Sequence, residues 1–186
     1  MDAFSYLSVL LSIILGLAMT QVLQGYRALL LSRQRVRFYL PPLAWSAYIL
    51  IIATQSWWSS FGLAGRQEWS FLTFAIILLQ TILLYMAAAL VLPDVPAEQS
   101  IDLKAHYFRE ATPFYAMMLA VVLVSLSKGI LLDGQLPKPA ELIFHLAFAG
   151  LSLVGLINRR EWVHFALVVL TGGWIVSYIA LLFARL

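Results

Sequence analysis

The chain has no cysteine. That excludes disulfides, thiolate metal sites, iron–sulfur clusters and thiol catalysis. Charge is scarce as well. Twelve Lys and Arg and nine Asp and Glu make up 11% of 186 residues, where an ordinary soluble domain carries about 25%. With 62% hydrophobic residues and a mean hydropathy of +0.90, so few charges do not clothe a soluble globule, a disordered chain or a coiled coil. The reactive-site patterns G-x-S-x-G, H-E-x-x-H and G-x-x-x-x-G-K are absent too. The chain reads as a non-enzyme with no catalytic residues. No basic region precedes the first apolar run, where Asp2 is the only charged side chain. A cleavable signal peptide needs that region, so the first run reads as a retained helix.

What is present is long apolar runs. A membrane-crossing helix needs about 20 mostly apolar residues. Six segments qualify: Phe4–Leu30, Phe38–Phe61, Trp69–Leu92, Thr112–Leu132, Ala140–Ile157 and Trp162–Ala184. Breakers fall between or at the start of them, at Pro41 and Pro42, Gly62 and Gly65, Pro93 and Pro96, and Pro137 and Pro139. The expectation is an all-α polytopic membrane protein of six transmembrane helices, a single integral domain over 1–186. The longest connection, Pro93 to Ala111, reads as a short amphipathic helix at the interface that leads into the fourth span.

Eight of the twelve basic residues, Arg27, Arg33, Arg35, Arg37, Lys104, Arg109, Arg159 and Arg160, fall on one predicted face. The positive-inside rule makes that face cytoplasmic and puts both termini outside, periplasmic in a bacterium. The net charge of +3 and pI near 9.3 are read as this orientation signal rather than as a nucleic-acid surface. Trp45, Trp57, Trp58, Trp69, Trp162 and Trp174 lie mostly near span ends, as an interfacial aromatic belt requires.

The chain also suggests a repeat. Arg66-Gln-Glu68-Trp69 introduces the third span and Arg159-Arg-Glu161-Trp162 the sixth, 93 residues later. At that offset Tyr85 meets Tyr178, Gly62 meets Gly155, and 9 of the 34 positions from Ser59 to Leu92 are identical. Three helices per copy is odd, so a duplication implies a 3+3 inverted-topology repeat, with halves near 1–93 and 94–186.

Ionisable and amide side chains inside spans are costly, and so are functional candidates. Lys128 lies about 22 Å along the fourth span. Glu141 and His145, four apart on one helix face, begin the fifth from the same side, and Gln55 is at similar depth. These four are read as an outer vestibule. Gln21 and Gln24 on the first span and Gln80 on the third extend a candidate solute path. Structural alternatives stand beside each: Lys128 snorkelling to the interface, Glu141 capping its helix, and Gln80 bonding a neighbouring helix. His106 and His164 sit on the opposite side from His145, so the three histidines share no metal site, and no metal or cofactor is expected. Small residues at helical spacing, Ser12, Gly16 and Thr20 among them, suit close helix contacts in the monomer or in a homo-oligomer.

The segment Phe4–Leu17, the run Gln55-Ser56-Trp57-Trp58, and Asp102-Leu103-Lys104-Ala105-His106-Tyr107-Phe108 resemble a group of uncharacterised six-span bacterial inner-membrane proteins. The resemblance covers the whole chain and implies a bacterial inner membrane, with no activity and no site residues attached. The functional expectation is a channel or transporter-like module passing an ion or small solute. The alternative is a non-catalytic accessory or scaffold subunit of a membrane complex. Membrane lipids, and a second copy or a complex partner, are the expected neighbours.

Overall fold

The chain folds into six helices, seen in a computed structural model that describes residues 3–66, 68–94, 100–135 and 137–183. They are α1 (Ala3–Leu31), α2 (Leu40–Ser59), α3 (Phe71–Val91), α4 (Leu103–Asp133), α5 (Pro139–Ile157) and α6 (Glu161–Tyr178). The two short strands β1 (Val36–Arg37) and β2 (Ile101–Asp102) pair in parallel, Val36 opposite Ile101 and Arg37 opposite Asp102. Five helices are long and apolar enough to cross a membrane: α1, α3, α4, α5 and α6. The second expected span is a 20-residue helix, but its prolines, tryptophans, serines and glutamine leave it short of that apolarity.

The packing explains how a more polar helix is accommodated. Neighbours run α1–α3–α4–α5–α6, and α2 touches α1, α3, α4 and α6. Five apolar helices thus form an arc with α2 on its inner side. Pro41, Pro42, Trp45, Ser46, Ile49 and Ala53 of α2 are buried there, while Thr54 and Trp58 face outward. The outer helices each bury one stripe. On α1 it is Leu7, Leu11, Leu15, Ala18, Val22 and Leu29, three to seven residues apart. Outside that stripe the surface stays apolar: Val169 is 73% exposed and Ile143 67%. In water such a surface is a liability; against lipid it is the expected one.

Three glycines set the closeness of the helices. A Cβ on Gly155 of α5 would lie 2.4 Å from the Tyr115 ring of α4. One on Gly172 of α6 would lie 2.6 Å from the Tyr48 hydroxyl of α2, which itself donates to Val168 O at 2.9 Å. One on Gly25 of α1 would meet Leu92 at 2.8 Å. By contrast, Ser12, Gly16 and Thr20 face outward, and a Cβ at Gly16 would meet nothing within 4 Å.

Two expectations change. The segment before the fourth span is not a separate interfacial helix. Residues 103–111 are the first turns of α4, which runs 31 residues, about 46 Å of rise. Asp102 starts it as N-cap, accepting from the Lys104 and Ala105 amides at 2.9 and 3.0 Å. Pro113 lies inside this helix and removes the amide that would bond Arg109 O. There Arg159 donates to Phe108 O and Thr112 Oγ1. Trp45 also departs from the expected belt: it is fully buried, edge-on to Phe114 and Tyr115.

Both halves keep a long–short–short order of helices: 29, 20 and 21 residues, then 31, 19 and 18. Their packing differs. α1 lies along α3 and α3 along α4, whereas the counterpart pairs, α4 with α6 and α6 with α1, are not close neighbours. The two matching arginines also differ from a twofold arrangement. Arg66 donates to Leu132 O near the end of α4, and Arg159 to the first half of the same helix.

At the face where α1 ends, charges pair with one another. Arg37 meets Asp102 at 3.3 Å and Lys104 meets Glu161 at 2.5 Å. The Ala105 amide, followed by the Lys104 amide and the Arg37 guanidinium, holds the Asp102 carboxyl below its ordinary range. Folding therefore favours its charged form. That stabilisation is in place above the ordinary carboxyl range and is lost as pH falls through the lowered value.

Two outcomes are expected. Gly155→Ala should destabilise the fold by about 1–3 kcal/mol through overpacking against Tyr115, while Gly16→Ala should be near neutral; thermal unfolding in detergent compares them. Asp102→Asn retains an N-cap acceptor but not the charge. The loss of stability on acidification should be smaller in this variant than in the wild type, and equal losses would show that Asp102 is not part of it.

Candidate functional site

The helix ends divide the bundle into two faces. At the N-terminal face α1, α3 and α5 begin and α2, α4 and α6 end. A cavity of about 490 Å³ opens among all six helices there. Its walls carry Gln55, Ser56 and Ser59 of α2, Gln80 and Thr81 of α3, Ser125 and Lys128 of α4, Glu141 and His145 of α5, and Tyr178 of α6. Along α3 it reaches Leu84, about 20 Å from the helix start in a hydrocarbon layer about 30 Å thick.

Local sequence explains why these side chains meet. Gly134 ends α4 in the left-handed conformation at φ 66°, its amide bonding Ile130 O at 2.9 Å. Pro139 starts α5 in the first-turn position. The tight return brings the last turns of α4 against the first turns of α5, so that Ser125 Oγ lies 3.0 Å from His145 Nε2. His145 Nδ1 donates to Glu141 O at 2.7 Å, leaving Nε2 to accept from Ser125 in the neutral ring. Arg66, at the rim, reaches the Leu132 carbonyl, one of the α4 C-terminal groups that lack an intrahelical partner. A cation at that end also meets the helix dipole favourably, worth about 0.3–1 kcal/mol where exposed.

Five of the seven sequence candidates, Gln55, Gln80, Lys128, Glu141 and His145, line this one cavity. Among the described residues the side chains of Lys128 and Glu141 make no hydrogen bond or ion pair, and neither do those of Gln55 and Gln80. The other two candidates lie elsewhere. Gln21 Nε2 donates to Tyr85 Oη at 3.3 Å, a tie between α1 and α3. Gln24 is exposed on the outside of α1. Three residues advance a helix by about 300°, about 60° short of a full turn, and that offset sets Gln24 past the edge of the packed stripe while Gln21 stays within it.

A second, smaller space of about 70 Å³ adjoins the cavity. It shares Gln55, Ser56, Gln80, Val121, Ser125, His145 and Tyr178 with it, but the rest of its wall is apolar, with Ile51, Ile52, Met118, Val122, Phe148 and Ile175. Trp174 and Tyr178 form one side as stacked rings, 5.0 Å apart and 9° from parallel.

Beyond Leu84 and Met118 the bundle is closed by aromatic side chains. Trp45 and Tyr115 are fully buried there. Tyr115 Oη and Tyr107 Oη are 2.8 Å apart, and Tyr107 Oη is 2.8 Å from His164 Nδ1. His164 Nε2 donates to Asn158 O at 2.9 Å. That assigns Nδ1 as acceptor, so Tyr107 donates to it and Tyr115 donates to Tyr107. Sequence reading missed this chain. The eight-residue step from Tyr107 to Tyr115 on α4 is its only trace, and the partner lies 49 residues further on. His106 sits nearby at the same face, 3.2 Å from Leu90 O; His145 is at the other.

Tyr107→Phe should lower stability by about 1–2 kcal/mol, because His164 Nδ1 then has only the 3.4 Å approach of Tyr115. Tyr115→Phe should cost less, since His164 keeps Tyr107. Thermal unfolding of both variants compares them, and equal losses would refute this hydrogen-bond order.

No protein-family model matches the chain, and neither a curated protein nor a solved structure matches it.

Proposed function

We propose that the protein is a membrane-embedded module that takes up a small solute or ion through a vestibule open at its N-terminal face. The observation that carries this reading is the gathering of Gln55, Gln80, Lys128, Glu141 and His145 on one polar cavity between helices that are otherwise apolar. A charged side chain at the centre of a span costs about 2.5–3.5 kcal/mol on insertion scales. Lys128 is five residues from the end of α4, about 7.5 Å, so its side chain meets the cavity near the face of the bundle rather than at mid-span. Structural glue would instead use up the amides and charges on neighbouring helices, as Gln21 is used by Tyr85.

In this reading α2 is the sixth crossing. Its 20 residues rise about 30 Å, enough to return the chain from the end of α1 to the start of α3. The membrane is the bacterial inner membrane, with the termini and vestibule periplasmic and the Arg-rich connections cytoplasmic. Passage requires the aromatic floor at Trp45, Tyr107 and Tyr115 to part, so the arrangement fits a transporter-like alternation better than a standing pore. The 3+3 duplication is supported by the two R-x-E-W corners and the matching helix lengths, while the unlike packing of the halves favours movement of α4, α5 and α6 around α2 over rocking of two equal units. The scaffold alternative has less support, because Arg37, Lys104 and Arg159 at the cytoplasmic face are engaged within the molecule.

The absence of cysteine makes single-cysteine labelling direct. Ser56→Cys and Gln80→Cys should react with a membrane-impermeant maleimide from the periplasmic side only, and Arg35→Cys from the cytoplasmic side only. Unreactive vestibule cysteines would refute the open cavity, and labelling of Arg35→Cys from outside would reverse the orientation. In proteoliposomes, absence of ion or solute flux under every imposed gradient would refute passage.

A further inference from the structure

The vestibule presents two ionisable side chains of opposite kind, the amine of Lys128 on α4 and the carboxyl of Glu141 on α5. Neither has an ion-pair or hydrogen-bond partner for its side chain among the described residues, although the two helices are adjacent and the cavity wall is common to both. In a bundle with 11% charged residues, Lys104–Glu161 and Arg37–Asp102 are joined at 2.5 and 3.3 Å, and Arg66 and Arg159 reach carbonyls of α4. An unmatched cation and an unmatched anion on one cavity are complementary to a solute that carries both charges at once. Each would then form a charge-assisted hydrogen bond, stronger than a neutral one.

The rest of the wall agrees with this. Gln55 and Gln80 each offer a carbonyl and an NH₂, and so serve a carboxylate or an ammonium equally. His145 is held by Glu141 O and Ser125 and adds no full charge in its neutral form. Arg66 at the rim is engaged with the Leu132 carbonyl. The adjoining 70 Å³ space, with Ile51, Ile52, Met118, Val122 and Phe148 on its wall, is about half the size of a cavity that holds benzene, and suits a branched group of about three or four carbons.

Building on the vestibule reading, we propose that the solute is a small zwitterion with a short apolar side group, of the α-amino-acid class. Its carboxylate faces Lys128, its ammonium faces Glu141, and its side group enters the apolar annex beside Phe148. Gln55 and Gln80 bond the polar end between them. No covalent step is involved.

Binding of tritiated L-leucine to the purified protein in lipid nanodiscs tests the proposal, with competition by four probes on the wild-type chain. Unlabelled L-leucine should compete best. Glycine lacks the side group, 4-methylpentanoate lacks the ammonium and 3-methylbutylamine lacks the carboxylate; each should be at least tenfold weaker. Lys128→Gln and Glu141→Gln should each weaken L-leucine at least tenfold, with Ser127→Ala, on the exposed side of α4, unchanged. If 4-methylpentanoate competes as well as L-leucine and Glu141→Gln binds normally, the zwitterion proposal is overturned and an anion site takes its place. If no probe binds while Ser56→Cys and Gln80→Cys still label from the periplasmic side, the substrate class is wrong and the vestibule stands. If those cysteines do not label, the vestibule reading and this proposal fall together.

Discussion

A polar group held inside a hydrocarbon layer has to meet either another protein group or water, because nothing else there can bond it. That constraint divides this bundle into two unlike parts. Toward the far face many of the groups meet one another: Tyr115 with Tyr107, Tyr107 with His164, His164 with Asn158 O, Tyr48 with Val168 O, while the buried hydroxyls of Ser152 and Thr171 have no hydrogen-bond partner among the described residues. Toward the N-terminal face Gln55, Gln80, Lys128 and Glu141 line a cavity instead. The dry part depends on close approach, which is why Gly155 and Gly172 sit against tyrosines. The open part is where the same helices leave a cavity of about 490 Å³ between them.

The second helix ties the two parts together. Its first half carries Trp45, Ser46 and Ile49, all fully buried in the closed region. Its second half carries Gln55, Ser56 and Ser59 on the cavity wall. No helix with that composition is comfortable facing lipid on all sides. The five apolar helices supply the shelter, and α2 in turn supplies much of the cavity's polarity. This explains why the helix that falls short of a span's apolarity is the one with neighbours on the most sides.

The helices, their short connections and the meeting of Lys128, Glu141, His145 and Gln55 on one cavity were legible in the sequence because each rests on depth. Depth follows from counting residues along a helix at a fixed rise. What depth does not supply is azimuth. In water an apolar stripe points inward and reveals the buried side, but a helix in lipid is apolar on both sides. Gln21 and Gln24 therefore looked alike, while one faces α3 and the other faces outward. The same lack hid Trp45, which is at the depth of an interfacial tryptophan yet turned into the core. The lead-in to α4 was misread for another reason. Its charges are real, but Leu103, Tyr107 and Ala111 recur every four residues and are buried, so the tertiary contact extends the helix through residues whose composition alone suggested an interface.

The two R-x-E-W corners illustrate how sequence likeness and packing separate. Arg66 and Arg159 occupy matching corners, and both reach for carbonyls on α4. At Arg66 the carbonyl is free because the helix ends. At Arg159 the bonded carbonyl lies beside Pro113, where the helix ladder loses an amide. An inverted pair would have sent one arginine to α1. Instead α4 is held at both ends by the two corners while its middle carries Tyr115 and Met118 at the cavity floor.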